Sequence, residues 1–390
     1  MGKCLEILTG REDKKPHFII DRGGHRLKGS TNMKDLREFF KDVPQVDWGY
    51  LERFSTQTGI FQHGKFNIPN YHHGYCLDDN CRALLLLLMA DTEGEPIDSR
   101  LLSTYLAFIL YAQEEKGWFR NFMSYDLQFL ESIGSEDSMG RTMWTLGYLL
   151  SKKRFSQFHD VTREIFDRAI HHVQSSRSIR AVAYNTLGIL HFLEANPKEK
   201  FHQKLLKTLV QFIMKEYKSC RRENWHWYEE IISYDNAIIP LALLRAAKML
   251  KNKEIAEIAL ESVIFLDKIL FRHGHLSTIG NNGWYRIGHP ISEFGQQPIE
   301  VASIIMLYEE LKQYQTAIDC SERIRTAFLW FLGKNDKKLG LFNFEQMACY
   351  DGLDEHGINK NQGAESNISF WMGYLCAKKE WKSPGVERYS

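Results

Sequence analysis

Six stretches of this chain are small or apolar on nearly every helical face, and each alternates with a stretch that is apolar on one face only. The first set comprises residues 78–89, 136–150, 179–193, 234–250, 296–311 and 364–377. The second comprises residues 48–59, 99–116, 159–174, 201–217, 253–270 and 315–333, with apolar residues three and four apart and a polar opposite face. A helix that lacks a polar face is stable only when it is surrounded, so the first set must form an inner layer and the second an outer one. Regular alternation of this kind signals stacked helical hairpins. The expected fold is all-α, six hairpins closed into a ring over residues 46–390 as one domain, behind an irregular lead-in at residues 1–45. Within the lead-in, residues 33–43 are amphipathic and are expected to pack on the ring or cross it as a strap.

The connections are unequal. Those from inner to outer helix are mostly short, whereas most of those from outer to inner helix are long: residues 60–77, 116–136, 220–234, 273–297 and 334–364. In a closed ring all inner helices run parallel, so the long loops and six positive dipole ends crown one face. That face collects polar aromatics, histidines and acids, as a ligand site would.

Charge is balanced, with 50 basic and 49 acidic residues, which gives no long-range pull toward nucleic acid or an anionic membrane. No apolar run is long enough to span a bilayer. Seven cysteines are scattered without a CxxC pair, so neither a disulfide framework nor a zinc site is indicated. With no apolar targeting segment near the N-terminus, a cytoplasmic location is expected. Aromatic content reaches 13%, and several of the nine tryptophans sit in polar stretches, where indole faces suit the apolar faces of sugar rings.

Acids head most of the inner segments. Asp78, Asp79 and Asn80 stand where the first inner helix starts, and Glu136 and Asp137 stand at the start of the second. A single cap needs only one such side chain, and Arg141 is spaced to pair with Glu136. Two carboxylates flanking one bond supply an acid and a base or nucleophile, the minimum equipment for glycoside hydrolysis. Asp79 and Asp137, in matching positions on consecutive inner helices, are the expected catalytic pair, with Asp78, Glu136, Glu230 and Glu365 able to replace either member. Sugar-binding candidates are Tyr71, His73, Arg141, Trp225, Trp227, Glu230, Asp235, Trp284, Gln297, Glu300, Gln362 and Glu365. They are stacking rings and hydrogen-bonding groups on the long-loop face, and Trp225, Trp227 and Trp284 are expected to line the same opening as Asp79. The adjacent His72 and His73 have no matching ligand spacing, and no phosphate-binding loop or nucleophile elbow is present. Neither a metal nor a cofactor is therefore expected.

The alternation of outer helices with acid-headed inner helices, over residues of about 47 to 380, resembles the (α/α)6 toroid of the six-hairpin glycosidase superfamily. More narrowly, TGIFQHG, GYCLDDNCRAL, GSEDSMGRTMWTLG, YDNAIIPLALL, QQPIE and NQGAES are similar to a bacterial toroid domain found alone or behind glycosyltransferase modules in polysaccharide gene clusters. The resemblance implies a glycosidase acting on an oligosaccharide or polysaccharide, with a glycosyltransferase as a partner. The endo-α-1,6-mannanase family on this fold uses a consecutive Asp-Asp pair, to which Asp78 and Asp79 are similar. Other members of the fold are sugar 2-epimerases working with paired histidines, sugar phosphorylases, and non-catalytic glycan binders or scaffolds.

Overall fold

The structure, a computed structural model, describes the backbone of residues 18–20 and 26–28 and residues 36–382. Most of the lead-in, residues 1–17, 21–25 and 29–35, lies outside the described residues. Thirteen α-helices are present among them. The lead-in helix α1 (Leu36–Asp42) buries Phe39 and Phe40 against Phe328 and Tyr374, so the amphipathic piece packs on the ring.

The outer layer is α2 (Gly49–Phe54), α4 (Ser99–Ala112), α6 (His159–Val173), α8 (Lys200–Cys220), α10 (Lys253–Leu270) and α12 (Cys320–Leu329). The inner layer is α3 (Leu77–Thr92), α5 (Glu136–Ser151), α7 (Ile179–Ala195), α9 (Ile238–Leu250), α11 (Pro298–Leu311) and α13 (Ala364–Lys382). Each inner helix packs on the next, and α13 returns to α3, which closes the ring. Burial follows the sequence pattern: residues 179–193 of α7 are buried on every face, whereas α8 buries one stripe, Leu205, Leu209, Ile213 and Tyr217 among it. Pro298 occupies the first position of α11, where its missing amide hydrogen leaves no bond unmade.

Inner helices α5 and α7 approach until their backbones touch. A Cβ on Gly147 would lie 2.1 Å from the Gly188 carbonyl oxygen, and one on Gly188 would lie 2.3 Å from that of Met143. Short hairpins fill the long loops. The most extended arrangement runs across four segments, in which Phe61 faces Tyr75, Tyr75 faces Met123 and Met123 faces Phe129.

Candidate active site

A cavity of about 530 Å³ opens above the N-termini of the inner helices. The Cα–Cβ bonds of a helix tilt toward its N-terminus, so first-turn side chains of α3 and α13 lean into this space. Asp78, Asp79 and Arg82 from α3, Arg141 from α5 and Glu365 from α13 line it, together with Tyr234, Trp284, Gln297 and Asp351 from the loops.

The acids of α3 do not cap it. The cap is Cys76, whose sulfur accepts the Asp79 amide at 3.4 Å while its thiol donates to Asp79 Oδ2 at 3.1 Å. Asn80 is spent on the backbone, donating to the Cys76 carbonyl and accepting from the Ile60 amide. Both carboxylates are thereby left for side-chain chemistry, and their surroundings differ. Asp78 pairs with Arg141 Nη1 at 2.8 Å and accepts from Asn121 Nδ2 at 3.2 Å. Burial pushes its carboxyl up, but the Arg141 and Arg82 guanidiniums and these hydrogen bonds outweigh burial and hold it below the usual carboxylate value.

Asp79 is more deeply enclosed. Arg82 Nη1 meets its Oδ1 at 2.8 Å, and Arg82 Nη2 meets Glu365 Oε2 at 2.7 Å, so one guanidinium clamps two acids. Burial raises the Asp79 carboxyl to about 6; Arg82 opposes the rise, and the Glu365 and Asp78 charges add to it. Arg82→Gln removes the opposing charge and leaves the other causes in place. The descending alkaline limb of an Asp79-dependent pH–rate profile is expected to move to higher pH in that variant, as read from kcat/KM between pH 5 and 9.

Arg141 is itself held. Its Nη2 donates to the Tyr184 hydroxyl at 2.8 Å and lies 3.9 Å from Asp235 Oδ2, and Tyr184 in turn donates to Asp235. Asp235 adopts a left-handed conformation (φ 44°) that directs its amide to Glu300. Glu300 is enclosed below the site, where burial and the neighbouring Asp235 push it up to about 8. It braces the Asp235–Asn236 turn and does not reach the cavity.

Of the residues singled out from the sequence, Asp78, Asp79, Arg141, Trp284, Gln297 and Glu365 line the cavity. The others lie elsewhere. Asp137 is outside the lining, with its oxygens engaged by Ser178 Oγ at 2.7 Å and by the Tyr234 hydroxyl at 2.6 Å. Glu136 accepts the Arg177 and Ser178 amides and so braces the start of α7; the Arg141 partner is Asp78 and not Glu136. Trp225 and Trp227 do not share the opening with Asp79: both are buried, Trp225 against Phe265 and Tyr285 with its indole N–H on the Glu229 carbonyl. Glu230 is exposed away from the cavity. Gln362 is buried and donates to Gln346. Asp235 lies below the cavity and Tyr71 and His73 lie outside its lining, His73 edge-on to His63 with ring centres 4.7 Å apart.

The lining residues that the sequence reading did not select include Gln62, His63, Arg82, Tyr234 and Asp351. Burial raises the Asp351 carboxyl against a hydrogen bond from the Gly363 amide. The signal for Gln62 and His63 is a polar pair closed by Gly64 within the long loop that leads to the acid stretch.

No protein-family model matches the chain, and no curated protein matches it in sequence. Solved structures do. A sugar epimerase from a ruminal bacterium superposes with a TM-score of 0.66 at 11% identity, covering 90% of this chain and 97% of that one. Cellobiose 2-epimerase from Bacillus thermoamylovorans gives 0.67 at 8% identity, over 89% and 99%. A family 76 α-mannanase from Bacteroides thetaiotaomicron gives 0.60 at 10% identity, over 90% and 96%. The fold is an (α/α)6 toroid, shared with these structures. Likeness at this identity establishes the fold and leaves the reaction to the site itself.

Proposed function

We propose that the protein is a carbohydrate-active enzyme that hydrolyses a glycosidic bond, with Asp79 as the acid and Asp78 as its anionic partner. The observation that carries this reading is the pair itself. Two consecutive carboxylates line one cavity, and their environments push them apart, Asp79 up to about 6 and Asp78 below its ordinary value. Asp79 holds a proton to give to the leaving oxygen. Asp78, kept charged by Arg141, either attacks the anomeric carbon or takes a proton from the attacking water. Arg82 and Glu365 set the position and proton affinity of Asp79. Trp284 offers an indole on the cavity wall, and Gln297, which makes no capping bond at the start of α11, has its amide available for sugar hydroxyls.

The similarity to epimerases gives a second reading. Epimerisation at C2 by paired histidines needs two imidazoles on opposite sides of one carbon. Among the described residues the cavity lining contains one imidazole, His63, and the nearby His73 packs directly against that ring, which leaves no space for a substrate carbon between them. Four carboxylates line the same cavity, so hydrolysis stands first. Incubation with a panel of bacterial oligosaccharides, with and without phosphate, and chromatography of the products tests both. Hydrolysis is expected to give shorter reducing sugars whether or not phosphate is added. Unchanged chain length with a new epimer, or cleavage that requires phosphate, would overturn this reading.

A further inference from the structure

Two aromatic side chains line the cavity from the loops that enter α9 and α11, Tyr234 and Trp284. In a ring of six inner helices α9 stands three places from α3, so the Tyr234 loop leads into the helix opposite the one that carries Asp78 and Asp79. The two rings lie 6.3 Å apart with their planes at 49°, which makes a corner rather than a stack. Both are half-buried.

Each ring is held in place by more than apolar packing. The Tyr234 hydroxyl donates to Asp137 Oδ2 at 2.6 Å, and Asp137 Oδ1 accepts from Ser178 Oγ at 2.7 Å, so the carboxylate is fixed at both oxygens. The Arg180 guanidinium lies 4.5 Å from the centre of the Tyr234 ring and also bonds to the Tyr234 carbonyl and the Ser233 hydroxyl, with Glu229 as its ion partner at 2.8 Å. Arg180 is buried and outside the cavity lining, so it covers the face of the ring turned away from the cavity. Trp284 is held through its backbone. Its φ of 61° is costly for a bulky residue, and bonds of 3.1 Å from its amide to the Gly280 carbonyl and from the Ser292 amide to its own carbonyl impose it.

We infer that this corner is a subsite for an uncharged pyranose ring and that Asp137 is its positioning residue, fixing the Tyr234 plane through the hydroxyl. The inference rests on the glycan reading of the cavity and adds the charge class of the ligand and a role for Asp137. A plane fixed in advance loses little freedom when a saturated ring settles on it. Asp137 is satisfied by two hydroxyls rather than by a cation, so its charge disfavours a uronic acid in the corner. A cationic sugar gains little from Tyr234, whose π-system is already engaged by Arg180.

Calorimetric titration with neutral trisaccharides of glucose, mannose and galactose, and with trigalacturonate, tests this on the wild type and on variants, with a melting temperature for each protein. One neutral trisaccharide is expected to bind at least about tenfold more tightly than trigalacturonate. Tyr234→Phe keeps the ring but lacks the hydroxyl, and it and Asp137→Ala are each expected to weaken that binding roughly threefold to tenfold. The double variant is expected to lose no more than the weaker-binding single variant, because both changes remove one bond. Asp137→Asn, which still offers the hydroxyl an oxygen, is expected to recover most of the affinity. Additive losses, a fall in melting temperature with affinity intact, tightest binding of trigalacturonate, or binding of no neutral trisaccharide would overturn the inference. Neutral binding with the expected losses but without cleavage would sink the hydrolase reading and leave the subsite standing, whereas cleavage with unaltered affinity in both single variants would do the reverse.

Discussion

Asp79→Asn is expected to cut glycan turnover by about a hundredfold to ten-thousandfold, the usual contribution of a positioned acid, while the ring stays folded. The substitution keeps the size of the side chain and an oxygen for Arg82, but it has no proton to give. Stability should follow the opposite course. A carboxyl raised to about 6 from an ordinary 3.8 contributes stability that is fully present below the ordinary value and lost as pH rises through 6. The Asn variant is therefore expected to melt at or above the wild-type temperature at pH 7, with its advantage shrinking toward pH 4. Thermal unfolding at both pH values, measured beside kcat/KM, checks this. A large loss of stability at pH 7 would mean that Asp79 is chiefly the structural partner of Arg82.

Gly188→Ala is expected to destabilise the protein by about 3 kcal/mol and to lower activity with it. The added methyl would stand 2.3 Å from the Met143 carbonyl oxygen and 2.6 Å from its carbon, and both are backbone atoms that no rotamer change can move aside. Helices α5 and α7 would have to separate. Arg141 rides on α5 and Tyr184 on α7, so the contact that holds Asp78 charged would be disturbed by the same movement. Gly373→Ala in α13 is the control, since its nearest neighbour is a side-chain tip at 3.3 Å and alanine favours helix over glycine. Urea unfolding should place the Gly373 variant near the wild type and the Gly188 variant far below it.

The layered ring was legible because an inner helix must be apolar all round, and that requirement is local: α7 shows it in fifteen consecutive buried residues. The direction of the inner helices, and hence the face that holds the site, followed from loop lengths. Individual side chains were less legible. Asp78 and Asp79 were visible as one acid more than a cap requires, yet the cap proved to be the Cys76 sulfur, a contact that residue type does not advertise. Trp225 and Trp227 sat among polar neighbours in sequence but turn into the core, where the Glu229 carbonyl satisfies the Trp225 N–H. Arg82 went unnoticed as one basic residue in an apolar helix, although its bonds to Asp79 and Glu365 join α3 to α13. That pairing spans nearly three hundred residues and exists only once the ring closes.

The most direct test of the assignment varies the leaving group. A glycoside of the accepted sugar with a dinitrophenolate leaving group needs no proton to depart, whereas the natural oligosaccharide does. Asp79→Asn is expected to lose about a hundredfold or more in kcat/KM on the oligosaccharide but to stay within about tenfold of the wild type on the activated glycoside, with Asp78→Asn severely impaired on both. Equal losses on the two substrates for Asp79→Asn, or near-normal turnover of the oligosaccharide, would contradict its role as the acid.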